Sequence, residues 1–469
     1  MTRSTWRTRI GFILAAVGSA VGIGNIWRFP WLTAENGGAA FLTLYLVLVV
    51  GVGVPGLIGE FVIGRRSNRN PVGAFDELAG RWYRPLGAIA LIACLVILSF
   101  YSVVGGWILR YTFASTTGAY FAAPQQYFAA IDYGLGAVGF HVLFLAATVA
   151  IVYLGVERGI ELSTTVMVPG IVVLFGGLAV WVSTLPGAGG GYDFYLSLDV
   201  SYLRENFFSV LPAAAGQALF TLSVGAGTML TYSSYLGEDR SLAADGTLIA
   251  VLNTAIGVLA GLVIFPLLFS LGVSPGQGGP GALFVSLAGA FAELPYSRLV
   301  GVVFFGVVLL AALSSAISIL EVLVAYLVDE HDLSRGWATL GTGGIFLVTG
   351  TIAALSPSAF GLLADTLSNV VLTAGLIGFL LFDGWVLGRL AREEFGRGAG
   401  PIAQIFEAPW YYAIAVVLPV FLAFTLVTSV AGIVGIDTST GSAMALALIG
   451  ITAVVLTFRR HGIPVERSA

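Results

Sequence analysis

The chain has 469 residues, of which 58% are hydrophobic and 10% charged, and its formal charge is -4. With a mean hydropathy of +0.96, this excludes a soluble globular protein and describes one that crosses a membrane many times. There is no lysine, so no phosphate-binding lysine of the Walker type; His141, His331 and His461 lack metal-ligand spacing, and a lone Cys94 forms no intramolecular disulfide.

A spanning helix needs about 20 apolar residues. Segments of that kind are predicted near 11–36, 39–64, 86–117, 137–155, 164–184, 206–236, 243–271, 298–328, 338–355, 362–388, 410–431 and 442–458, twelve in all. Basic residues gather in cytoplasmic loops. Arg3, Arg7 and Arg9, the arginines between Arg65 and Arg84, then Arg389, Arg392 and Arg397, and finally Arg459, Arg460 and Arg467 therefore put both termini inside. The opposite loops hold little beyond Arg204 and Arg298. The first apolar run is too long for a cleaved signal and ends in Arg28 and Pro30, so it is expected to be retained.

That first segment, GFILAAVGSAVGIGNIWRFPWLTAEN, carries Gly18, Gly22 and Gly24, then Asn25, Arg28 and Pro30. Gly18 and Gly22 alone fit helix packing of the small-xxx-small kind. Asn and Arg in a bilayer-length segment need a cavity or a partner, and unwound backbone is tolerated only where it lines one. The pattern predicts a helix that breaks halfway.

The second segment ends in PGLIGEFVIGRR, where Glu60 reads more readily as a carboxylate held by neighbouring helix ends than as a transport residue. The third carries Tyr101 and Arg110; by itself such a tyrosine is ordinary packing or interfacial material. In the sixth, Gln217, Thr221 and Ser223 lead into Gly225, Ala226 and Gly227, a second interruption. Two interrupted helices in corresponding positions of two halves point to inverted repeats with a binding site at the breaks. The seventh contains Asn253, the eighth Ala311, Ser314 and Ser315, and the tenth begins with Asp365. Between Pro280 and Pro295 lies an apolar stretch too short to span, expected as a re-entrant or interfacial element.

Five motifs in order, GSAVGIGNIWRFPWLTAENGGAAF, GQALFTLSVGAGTMLTYSSY, GPGALFVSLAGAFAELP, ALSSAISILE and DTLSNVVLTAGLIGF, resemble those of the neurotransmitter:sodium symporters, in particular their prokaryotic amino-acid transporters such as the bacterial leucine transporter. The resemblance implies an all-α membrane protein of twelve spans: inverted repeats at 1–184 and 185–391, each of five helices, and two further helices with the tail at 392–469. It implies two sodium ions. One would be held by Ala20, Asn25, Thr221, Asn253 and the substrate carboxylate, the other by Gly18, Val21, Ala311, Ser314 and Ser315. The substrate would contact Ser19, Ala20, Gly22, Ile23, Gly24, Ile97, Tyr101, Phe220, Thr221, Ser223, Ala226, Ser315 and Ile319.

Amine carriers of this family place an aspartate where this chain has Gly22, so the resemblance implies an α-amino acid, and Ala226, where a large residue is common, favours a bulky apolar or aromatic one. Arg28 with Asp365 would form an outer gate, and Arg3 with Asp329 an inner one beside Trp6 and Tyr235. Chloride-independent relatives commonly carry a carboxylate one turn after the asparagine of the seventh helix, where this chain has Gly257. Tyr45, Gln217, Thr221 and Asn253 match the neutral groups that hold chloride in chloride-dependent members, although those members usually have a serine at the Gly257 position. The expected function is sodium-coupled import of an amino acid across the cell membrane by alternating access, with the lipid bilayer as surroundings and no nucleic-acid partner. The alternative is a membrane sensor that binds the amino acid without moving it, which would need an output domain. No nucleophile, metal or acid-base constellation points to an enzyme.

Overall fold

The computed structural model describes residues 6–237, 240–272, 281–434 and 440–460, and within them every regular element is a helix. The first, α1 (Arg9–Ala20), starts on a Thr8 cap whose side chain accepts from Gly11 N. It stops because Val21 turns extended, at φ -76° and ψ 103°. A wider helical turn over Gly24–Arg28 then leads into α2 (Phe29–Glu35), with Pro30 in its first turn. The two halves are bent by 49°. The break predicted from the glycines is there.

The chain continues through α3 (Ala39–Ser67), α4 (Arg81–Thr117), α5 (Leu135–Tyr153) and α6 (Val156–Ser183). Next come the interrupted pair α7 (Val200–Thr221) and α8 (Thr228–Ser233), then α9 (Leu242–Ser270), α10 (Ser297–His331), α11 (Arg335–Leu355), α12 (Pro357–Leu387), α13 (Glu407–Ala431) and α14 (Gly441–Arg459). Among the described residues, ten helices are long and apolar enough to cross a membrane, and the bent pair α1–α2 makes an eleventh. The sixth predicted segment differs from the others. Its helix begins at Val200, ahead of the expected 206, because Asp199 caps it by accepting from Tyr202 N, and the charged Arg204 and Glu205 fall inside its first turns.

Between α7 and α8 the backbone turns left-handed at Ser223 (φ 53°), Gly225 (φ 96°) and Gly227 (φ 68°). A Cβ at residue 225 would lie 2.1 Å from the Leu372 carbonyl oxygen. Only glycine meets both demands there.

Two segment ends differ from the expectation. The segment expected near 164–184 starts earlier, at Val156, and Glu161 is buried there, accepting from Arg7 N (2.9 Å) and Thr8 Oγ1 (2.9 Å). Arg65, expected in the cytoplasmic loop after the segment at 39–64, lies inside α3 and is buried against Glu394, with Nε 2.5 Å from Oε1 and Nη2 2.9 Å from the Glu394 carbonyl oxygen. A side chain with several donors can enter a helix-end cluster that satisfies them. The short apolar stretch before Pro295 forms a helix, Gly281–Ala292, too short to span and with Phe284, Leu287 and Phe291 buried. The long helices α4 and α10 share the most extensive helix contact and bring Tyr101 and Ser315 up to the α1 break.

Candidate functional site

A helix that stops inside a protein leaves carbonyls without their amide partners. At the end of α1 these carbonyls face α10. Ser315 Oγ lies 3.4 Å from Gly18 O, 2.9 Å from Ser19 O and 3.2 Å from Val21 O, while Ser314 Oγ lies 3.4 Å from Val21 O and 2.9 Å from Ala311 O. Gly18, Val21, Ala311, Ser314 and Ser315, separated by about three hundred residues of chain, thus form one buried oxygen cluster. Its donor set is carbonyls and hydroxyls without a charge, the kind that unwound helices offer to sodium.

A second cluster lies on the other side of the break. Asn25 Nδ2 donates to Asn253 O (3.1 Å) and Asn253 Oδ1 (3.0 Å), and Asn253 Nδ2 donates to Thr221 Oγ1 (3.1 Å). In that orientation the Asn253 amide oxygen faces the carbonyl oxygens of Ala20 at 3.2 Å and Thr221 at 3.1 Å. Turned over, the amide would donate to both carbonyls but set its nitrogen 3.0 Å from Asn25 Nδ2. Each orientation leaves like facing like. A cation among the oxygens relieves the first arrangement, so the residues present fit one.

Between the clusters lies a narrow cavity. Of the expected contacts, Ala20, Gly22, Gly24, Ile97, Tyr101, Phe220, Ser223, Ala226, Ser315 and Ile319 line it. Ser19, Ile23 and Thr221 sit behind its wall: Ser19 Oγ donates to Ser318 Oγ (2.7 Å), and Ile23 N donates to Tyr101 Oη (3.1 Å). Thr228 and Leu372 complete the lining. Both were missed in the sequence, because Leu372 looks like any membrane leucine and Thr228 like a helix residue. A Cβ at Gly22 would be 2.3 Å from Ser315 Oγ and 2.6 Å from Tyr101 Oη. The polar end of the cavity therefore depends on glycine at that position.

The model of the Sodium:neurotransmitter symporter family matches residues 3–125 and 127–433. The chain belongs to this family. It is 34% identical over 438 residues to an uncharacterized sodium-dependent transporter of Bacillus subtilis (strain 168), covering 88% of this chain and 95% of that protein. A second such transporter, from Haemophilus influenzae, is 31% identical over 449 residues, covering 90% of this chain and 96% of its own. Among solved structures, the crystal structure of MhsT in complex with L-phenylalanine aligns with a TM-score of 0.81 and 38% identity, over 91% of this chain and 100% of that one. The protein is thus a multi-pass membrane transporter coupled to sodium, in a family of symporters rather than enzymes.

Around the symporter's central cavity, Arg28 Nη2 donates to Asn369 Oδ1 (3.2 Å), and its guanidinium carbon lies 4.8 Å above the Phe220 ring. The Asp365 side chain and all of Arg3 lie outside the described residues. Asp329 Oδ2 accepts from Asn70 N (3.1 Å) and Asn70 Nδ2 (3.4 Å). Trp6 packs on Tyr235, as expected, and its Nε1 donates to Tyr232 O (2.8 Å).

A further charge pair that was not foreseen joins half-buried Arg335 to buried Glu321. Arg335 lies 3.0 and 2.5 Å from the two Glu321 oxygens, and Tyr235 Oη donates to Glu321 Oε1 (2.9 Å). ALSSAISILE already ends in Glu321; what was missing was that Arg335, in the next helix, folds back onto it. Near the Asn253 cluster, Tyr45 Oη, Gln217 Oε1 and Thr254 Oγ1 are buried without a well-formed hydrogen bond among the described residues, and a Cβ at Gly257 would lie 3.4 Å from Asn25 Nδ2 and 3.9 Å from Tyr45 Oη.

Proposed function

We propose that this symporter imports an α-amino acid, apolar or aromatic, across the cell membrane by alternating access, driven by two sodium ions. The observation that carries the reading is the α1 break, where backbone oxygens gather on both sides of a cavity ending in Gly22, Tyr101 and Ser315. An amino acid's carboxylate would sit at that end, shared with the sodium among Ala20, Asn25, Thr221 and Asn253, while Gly18, Val21, Ala311, Ser314 and Ser315 hold the second ion. Ile97, Phe220, Ala226 and Ile319 would receive the side chain. The L-phenylalanine named for MhsT supports an aromatic substrate.

In this reading the chain has twelve spans, with inverted repeats at 1–184 and 185–391, a C-terminal pair at 392–469 and both termini cytoplasmic. Arg28 and Asp365 close the outer side, and Arg3 and Asp329 the inner. Chloride near Tyr45, Gln217, Thr221 and Asn253 supplies the negative charge that Gly257 lacks.

The test is uptake of labelled phenylalanine, tryptophan and leucine into proteoliposomes with and without an inward sodium gradient. Accumulation that collapses when the gradient is removed is expected. Sodium-dependent binding of the amino acid without accumulation would instead make the protein a sensor.

A further inference from the structure

We propose that the groove between α4 and α5 binds one anionic phospholipid, with its phosphate on Arg110 and an acyl chain along the apolar mouth. Arg110 stands seven residues before α4 ends at Thr117, about 10 Å along the axis. That depth suits the boundary between headgroups and hydrocarbon at the end of α4 remote from Arg84. Among the described residues Arg110 forms no ion pair and no hydrogen bond.

An unpaired interfacial arginine ordinarily stretches its head into water. This one lies along the groove, its guanidinium carbon 5.3 Å from the Phe140 ring centre and 5.9 Å from that of Tyr127. Gly136 makes that pose fit, since a Cβ there would be 2.9 Å from Arg110 Nη1, and Gly139, with nothing within 4 Å of its Cβ position, leaves the floor open. The groove is wide and open to the protein surface. Phe113 (59% exposed) and Leu143 (55%) form its exposed apolar mouth.

A fork of guanidinium donors with no protein acceptor suits a phosphate. The apolar mouth selects a phosphate that carries a chain, so the occupant is a lipid and not a free anion. The reading is independent of the transported substrate.

The experiment uses the full chain in nanodiscs of phosphatidylcholine with increasing phosphatidylglycerol, scored by thermal midpoint and by lipid retained in native mass spectrometry. The unmodified protein should retain phosphatidylglycerol and gain thermal stability from it. Arg110→Gln should bind it about fivefold more weakly, the share of one basic residue at an anionic surface. Gly139→Trp, which fills the groove and keeps the charge, should lose it as well, and it remains informative if Arg110→Gln fails to fold. Equal retention by the unmodified protein and either folded variant would overturn the proposal. So would inorganic phosphate, or oleate, reproducing the full stabilisation in phosphatidylcholine alone.

Discussion

Gly225 N–H, in the break between α7 and α8, donates to Glu60 Oε1 of α3 at 2.6 Å, and Leu230 N–H donates to Oε2 of the same carboxylate at 3.1 Å. Backbone amides released by an unwound helix are thereby satisfied by one buried carboxyl group. Leaving a buried backbone donor without its acceptor costs about 1–3 kcal/mol. Glu60→Ala should therefore lower the thermal midpoint and abolish uptake, whereas Glu60→Gln, which keeps an acceptor, should retain part of both. Differential scanning fluorimetry beside uptake checks this, and an alanine variant with unchanged stability and transport would contradict it.

Removing the hydroxyls of Ser314 and Ser315 together takes two oxygens from the Gly18, Val21 and Ala311 cluster. If that cluster holds sodium, the concentration needed for half-maximal transport should rise by roughly tenfold for each lost oxygen, about 1.4 kcal/mol apiece. A double alanine variant that keeps its sodium activation curve would remove the second ion from this position.

Ala226 lines the cavity and is buried. Phenylalanine in its place should discriminate against tryptophan by roughly tenfold while sparing alanine or glycine, as one added bulky group in an apolar pocket does. The readout is competition by unlabelled amino acids. Equal loss for every substrate would mean that the change disturbs the break itself.

If two sodium ions and a zwitterion bind as proposed, they bring net positive charge into a buried site, where the interaction is worth several kcal/mol at an effective dielectric of ~20. Gly257 adjoins the Asn25 amide, so a carboxylate there would stand beside the first sodium. Chloride is expected to stimulate uptake by the unmodified protein, and Gly257→Glu to remove that stimulation. Replacing chloride by gluconate on both sides of the membrane checks it; unchanged uptake by the unmodified protein would sink the idea.

The sequence alone determined the membrane character, the family and both helix breaks, because these depend on local composition: long apolar runs, glycines where the backbone must unwind, and polar residues that no continuous lipid-facing helix carries. It also pointed to Glu60 as a carboxyl group held by helix ends. Only the tertiary structure decided what lies across from what. That Ser315 reaches three carbonyls of α1, that Arg335 turns back onto Glu321, that Glu161 and Arg65 are buried and that Leu372 closes the cavity all depend on helices distant in sequence packing side by side. Charge and hydropathy along the chain record how much of a residue is apolar, and they are silent about which neighbour will satisfy its polar atoms.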